Sequence, residues 1–203
     1  PDTGAVKVSG HDILDKPMEM AASGWREKLL SGVKGKVLEV GIGTGRNIPY
    51  YSDNVELTGI DFSPRMVEIA RQKAENKGKV RILEMDAENM EFKDNTFDTV
   101  VTSCVFCLVP DPVQGLKEIK RVCKNGGKIL MLEHVRSHKK VVGPLMDILN
   151  FIPLHIYGEN INRETYENLL KAGFKPEQIE VEGVWLDIVK LIRINNTNNP
   201  HEK

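Results

Sequence analysis

Cysteine is scarce: the 203 residues hold three, an odd number. They do not make a disulfide framework, and a reducing, cytoplasmic setting is the simpler expectation. No apolar run is long enough to span a bilayer. The first thirty residues lack the continuous apolar core of a secretory signal. An excess of one charge is also missing, because 28 Lys and Arg face 29 Asp and Glu for a formal net charge of −1. A nucleic-acid binder would show a basic excess or a basic face. The clusters His138-Lys139-Lys140 and Arg71 with Lys73 read as solvated surface, the second among acidic neighbours. There is no internal repeat. What is present is an ordinary globular mix, 40% hydrophobic and 28% charged. The length suits one α/β domain and is short for two.

Short β-branched runs alternate with amphipathic segments from about residue 36. Lys36 to Val40 reads as a buried first strand, Val55 to Ile60 as a second, Val80 to Leu83 as a third and Phe97 to Ser103 as a fourth. Ser63-Pro64 starts a helix, with Ser as cap and Pro in the first turn. Its apolar positions Met66, Val67, Ile69, Ala70 and Ala74 share a face, and Gly78 closes it. Asp111-Pro112 starts another, ended by Asn125-Gly126-Gly127. Lys128 to Glu133 is then a fifth strand. Such alternation predicts a parallel sheet covered on both faces. Asn162 caps a further helix that runs to Ala172. Ile179 to Val184 and Ile188 to Ile194 form an antiparallel hairpin. Three regions result: an N-terminal helical segment at residues 1–34, read either as a helix packed on the sheet or as a lid, a main α/β domain at 35–194, and a disordered polar tail at 195–203.

The glycine-rich loop Gly41-Ile42-Gly43-Thr44-Gly45 follows the first strand. Glycines allow a tight turn and close approach of a ligand to the backbone. Alone, the loop also fits a plain strand-to-helix turn. The dinucleotide fingerprint needs a third glycine where Arg46 stands, so NAD and FAD are disfavoured. Asp61 ends the second strand about twenty residues after the first glycine, the offset at which a carboxylate meets a ribose diol. Asp86, just past the third strand, is placed to accept a hydrogen bond from an exocyclic amine such as that of adenine.

With these residues in sequence, the chain resembles the class I S-adenosylmethionine-dependent methyltransferases over roughly residues 35–135. The likeness lies in EVGIGTG (Glu39 to Gly45), GIDFS (Gly59 to Ser63), MDAEN (Met85 to Asn89), FDTVVTSCVFCLVPD (Phe97 to Asp111) and KNGGKILMLEH (Lys124 to His134). It implies a Rossmann-like, doubly wound, seven-stranded, mostly parallel sheet with an antiparallel last strand. It also implies S-adenosylmethionine as cofactor. The contacts carried over are Glu39, Gly41, Gly43 and Gly45 on the methionine side, Asp61 on the ribose, and Phe62, Met66, Asp86 and Ala87 around adenine. Ser103 and Cys104 line the methyl-donor side. Within the family, GTGRNIPYY and LEHV are similar to phospholipid N-methyltransferases, quinone-pathway C-methyltransferases and small-thiol methyltransferases. No substrate motif stands out across residues 136–161.

A general base is needed only for a nucleophile that starts protonated. His134, past the fifth strand, is the candidate, against the plain reading of a histidine bonded to its loop. His155 and Tyr157 are further residues that could reach a substrate. Cys104 and Cys107 form C-x-x-C; without further ligands they read as small apolar residues near the pocket, and no metal is expected. Residues 141–157 are apolar and read as core or lid packing, as a lipophilic acceptor pocket, or as a peripheral membrane contact. The expected partner is a small-molecule or lipophilic methyl acceptor, with no nucleic acid. A nucleotide-cofactor oxidoreductase and a non-catalytic cofactor-binding regulator stand as rivals.

Overall fold

The structure, a computed structural model, describes residues 23–134, 164–185 and 188–197. Its strands are β1 (Lys36–Val40), β2 (Glu56–Asp61), β3 (Val80–Glu84), β4 (Phe97–Ser103), β5 (Cys123–His134), β6 (Ile179–Trp185) and β7 (Val189–Asn196). The helices are α1 (residues 23–30), α2 (Pro64–Ala74), α3 (Pro112–Val122) and α4 (Thr165–Lys171). All seven strands join one sheet in the order β3-β2-β1-β4-β5-β7-β6. β1 to β5 pair in parallel, and β7 runs antiparallel to both its neighbours. The doubly wound, mostly parallel sheet expected from the sequence is therefore the fold.

Alternation along the central strands builds two cores. Leu38 and Val40, Val100, and Ile129 with Met131 face one side, where α3 sends Leu116, Ile119 and Val122 and α4 sends Leu169. Val37, Val101, and Leu130 with Leu132 face the other, against Val67 and Ala70 of α2 and Leu29 and Leu30 of α1. β1 and β4 are buried on both faces, and β4 keeps Thr99 and Thr102 buried beside Val100 and Val101. Residues 23–30 of the N-terminal helical segment thus pack on the sheet. Residues 1–22 lie outside the described residues, as do residues 135–163.

The helix starts follow the capping logic. Ser63 accepts from the Met66 N–H, and Asp111 Oδ1 accepts from the Gln114 N–H at 3.0 Å. Four boundaries differ from expectation by more than a residue, the first being that α2 ends at Ala74 and not at Gly78. Asn125-Gly126-Gly127 does not end α3: the chain passes from Val122 directly into β5, and the glycines fall inside that strand. Pairing with β4 jumps from Phe97–Cys123 to Thr99–Lys128, and Gly126 takes a φ of 79° to let the extra residues bulge out. α4 begins at Thr165, with Glu164 in the N-cap position making no side-chain capping bond, while Asn162 is outside the described residues. Asn195 and Asn196, expected in the tail, belong to β7. Asn196 is fully buried and donates to the carbonyls of Lys120, Cys123 and Lys124, tying β7 to the α3–β5 junction.

Candidate active site

Strand order reverses between β1 and β4, where the chain winds outward in both directions. Open α/β sheets bind ligands at the carboxyl ends of the strands on either side of such a point. A cavity of about 670 Å³ lies there, walled by the residues that follow β1, β2, β3 and β4.

The β1 end supplies Gly41 and Gly43. The loop is tied to β2 by the Ile42 N–H, which donates to the Ile60 carbonyl at 2.9 Å. Gly41 has a φ of 66°, and a Cβ there would stand 2.4 Å from Cγ2 of Val105. Both facts require glycine. Gly43 has a φ of 55° and open space where a side chain would be. Its N–H donates to Asp61 Oδ2 at 2.8 Å.

Asp61 Oδ1 accepts from the Ser63 N–H at 2.9 Å. A carboxylate offers about four acceptor positions, so two are left for a ligand. Asp86 Oδ1 accepts from the Glu88 N–H at 2.9 Å. Phe62 is 78% exposed, Leu108 50% and Met66 37%, and all three line this same cavity. Large apolar side chains left in solvent around one concave opening mark a binding site.

Most of the expected cofactor residues meet here: Gly41, Gly43, Asp61, Phe62, Met66, Asp86, Ala87, Ser103 and Cys104 all line the cavity. Glu39 and Gly45 do not. Gly45 makes the turn, its N–H donating to the Ile42 carbonyl at 3.0 Å. Glu39 points away from the opening into the core on the α1–α2 face. There it accepts from Asn47 Nδ2 at 2.8 Å and from the Tyr51 hydroxyl at 2.9 Å. Asn47 Nδ2 also donates to Ser103 Oγ at 3.0 Å, so Glu39 reaches the cavity wall through Asn47. Burial pushes Glu39 up to about 7, although both hydrogen bonds favour its charged form. The Tyr51 hydroxyl is driven well above its usual range by burial and then by the Glu39 charge beside it.

A second buried carboxylate, Glu133, sits at the β5 end on the opposite face of the sheet. It accepts from Thr102 Oγ1 at 2.7 Å, from the Val105 N–H at 3.4 Å and from the Phe106 N–H at 3.3 Å. Burial pushes it up to about 7 as well. Sequence reasoning did not single it out, since an acid ending a strand gives no sign of which way it faces. Nor did it single out Val105, Leu108, Val109 and Pro110, which wall the cavity. Their signal was an apolar run beyond the end of a buried strand, in a segment read for its family motif and its cysteines. Those cysteines divide: Cys104 lines the cavity, while Cys107 is buried and donates from Sγ to the Cys104 carbonyl.

The backbone of His134 closes β5 opposite Val189. Its side chain, together with His155, Tyr157 and the apolar stretch 141–157, lies outside the described residues.

Comparison with known proteins gives the family. A methyltransferase-domain profile matches residues 38–131. The chain is 45% identical over 114 residues to a phosphatidylethanolamine N-methyltransferase of Cereibacter sphaeroides, a match spanning 55% of each protein. It is 30% identical over 174 residues to a demethylmenaquinone methyltransferase of Staphylococcus epidermidis, covering 80% of this chain and 72% of that one. The crystal structure of the YcgJ protein of Bacillus subtilis superposes with a TM-score of 0.66 at 22% identity, over 81% of this chain and 70% of that one. The oxidoreductase rival falls with these matches. The chain spans about half the length of the first of these relatives and belongs to the methyltransferase family.

Proposed function

We propose that the cavity at the strand ends holds S-adenosylmethionine and that the acceptor is a small reactive head group on a lipophilic molecule. The observation that carries the first half is the pair Asp61 and Asp86, carboxylates with acceptor positions to spare, on the same cavity as the solvent-exposed ring of Phe62. In this reading Asp61 takes the two ribose hydroxyls and Asp86, through Oδ2, the exocyclic amine of adenine. Phe62 and Met66 cover the adenine ring, with Ala87 alongside. Gly41 and Gly43 let the methionine part lie against bare backbone. Ser103 and Cys104 flank the methyl-donor side. Glu39 and Gly45 keep the loop in shape without touching the ligand.

When bound, S-adenosylmethionine supplies an electrophilic methyl group on a sulfonium sulfur. The chain's own task is alignment: the walls after β1 and β4 fix the line along which a nucleophile approaches. Apolar walls from Val105, Leu108 and Val109 exclude water from that line. For an acceptor that starts protonated, His134 is the residue we assign as general base. Replacing it with Ala should abolish most turnover of such an acceptor, and full turnover would refute the assignment.

The acceptor class draws on the names of two relatives. Phosphatidylethanolamine and demethylmenaquinone differ in reacting atom and share a long apolar portion. The apolar mouth of the cavity supports the same class, as does the apolar sequence 141–157, for which we propose a lipophilic pocket or peripheral membrane contact. No helix among the described residues is long and apolar enough to cross a membrane. The test is transfer of a labelled methyl from S-adenosylmethionine to phosphatidylethanolamine vesicles, to demethylmenaquinone in detergent, and to a small thiol. Label extracted with either lipid supports the reading. Label confined to the thiol, or absent from both lipids, overturns it.

A further inference from the structure

The turn that leaves β4 forms the wall of the cavity, and its backbone is strained. Cys104 has a φ of 55°, a region that residues with a side chain seldom occupy. Such a conformation persists only where the surroundings over-determine it. Three restraints act here. The Cys104 N–H donates to the Leu132 carbonyl at 2.7 Å. Ser103, just before it, is held from one face of the sheet by Asn47, which Glu39 anchors. Val105 and Phe106, just after it, are held from the other face by Glu133.

Glu133 is completely buried, and the groups that bond it are one hydroxyl and two backbone amides, none of them charged. An unpaired carboxylate is a costly thing to bury. No neutral side chain would serve as well. Two loop N–H groups and a Thr hydroxyl converge on one point, and only a carboxylate presents two oxygens that both accept. An apolar residue would leave those two amides as buried orphan donors. A glutamine would set its own N–H₂ against the Phe106 N–H or, turned over, against the Val105 N–H, so one amide loses its acceptor either way.

The consequence reaches the ligand side through Val105. Its methyl groups fill the space where a Cβ on Gly41 would be, so the position of Val105 and that of the glycine loop are interlocked. Glu133 itself does not line the cavity. We propose that Glu133 is a positioning residue for methyl transfer: through the amides of Val105 and Phe106 it fixes the β4 turn, and through Val105 it fixes the glycine loop that receives the methionine part of the cofactor. The second step rests on the cofactor placement proposed above; the hold on the turn does not.

The experiment compares the full chain with Glu133→Gln and Thr102→Val. Affinity for S-adenosylhomocysteine is read by calorimetry, and amide hydrogen exchange is read by peptide across β2, α2 and residues 104–110. Loss of one hydrogen bond to a charged acceptor should weaken S-adenosylhomocysteine binding by about tenfold in Glu133→Gln. Exchange should quicken at Val105 and Phe106 while β2 and α2 keep their protection. Thr102→Val should shift both readouts the same way by less. Unchanged affinity together with unchanged exchange at 104–110 overturns the proposal, as does a loss of protection spread evenly over the sheet. Should Glu133→Gln fail to fold, Thr102→Val decides on the same two readouts. If the unsubstituted chain does not bind S-adenosylhomocysteine, the cofactor placement fails, while exchange at Val105 and Phe106 still tests the hold of Glu133 on the turn.

Discussion

Glu39 shows what a single buried acid does to the pH dependence of stability. Its folded value of about 7 stands above the ordinary glutamate value of 4.5. Below both values the acid is protonated in either state and contributes no difference. Between them the folded chain keeps a proton that the unfolded chain has lost. Above both, the folded chain bears a buried charge, so stability falls as pH rises through this window. The cost is roughly 3 kcal/mol at most. Glu39→Gln removes that titration. Urea melts should therefore show the variant gaining on the parent chain between pH 5 and pH 8, and a gap that is constant or widens with pH would contradict this. The glycines give a second contrast. Gly41→Ala meets Val105 and should damage both folding and ligand binding. Gly43→Ala meets nothing and should cost about 1 kcal/mol in backbone strain while intruding on the ligand. Thermal unfolding and S-adenosylhomocysteine titration, run side by side, separate the two. At this scale the sequence was legible where chemistry dictates a residue type at a fixed offset, as at Asp61 and Asp86. It was silent where the role depends on which face of a strand a side chain takes. Glu39 sits directly before the glycine motif, yet it turns into the core.

The starts of α2 and α3 were readable because capping is local. Asp111→Ala should cost about 1 kcal/mol by leaving the Gln114 N–H without its acceptor; a shift of the urea midpoint with an unchanged slope is the expected signature. The end of α3 was not readable. An Asn-Gly-Gly run is a strong stop signal in isolation, but β5 is already pairing with Phe97 when the run begins. The glycines therefore serve a bulge inside a strand. Tertiary pairing with β4 and β7 decides the matter, and no window of eleven residues contains it. The apolar run after β4 illustrates the same limit. The strand was read to end at Ser103, and only with the sheet edge placed do Val105, Leu108, Val109 and Pro110 prove to line the cavity.

For the whole molecule, alternation of short apolar strands with amphipathic helices was enough to predict the parallel sheet and its two covered faces, while the antiparallel last strand came from the family resemblance and the short gap between the last two strands. The reach of β7 was underestimated because Asn195-Asn196 is polar in composition. Its role is set by three carbonyls contributed from residues 120–124, about seventy positions away in sequence. Asn196→Ala should destabilise the chain by roughly 2 kcal/mol by stripping those carbonyls of their donor. A midpoint unchanged in urea would show that the strand end carries no weight. Fold alone does not fix chemistry: the [4+2]-cyclase SpnF shares this fold with a TM-score of 0.60 at 24% identity. The account therefore stands on the cavity at the β1–β4 reversal. Its most direct test is a crystal structure of the full chain grown with S-adenosylhomocysteine. The adenine ring should lie against Phe62, the ribose hydroxyls on Asp61, and the homocysteine part along Gly41 and Gly43. Ligand bound elsewhere, or in this cavity with the ribose away from Asp61, would contradict it.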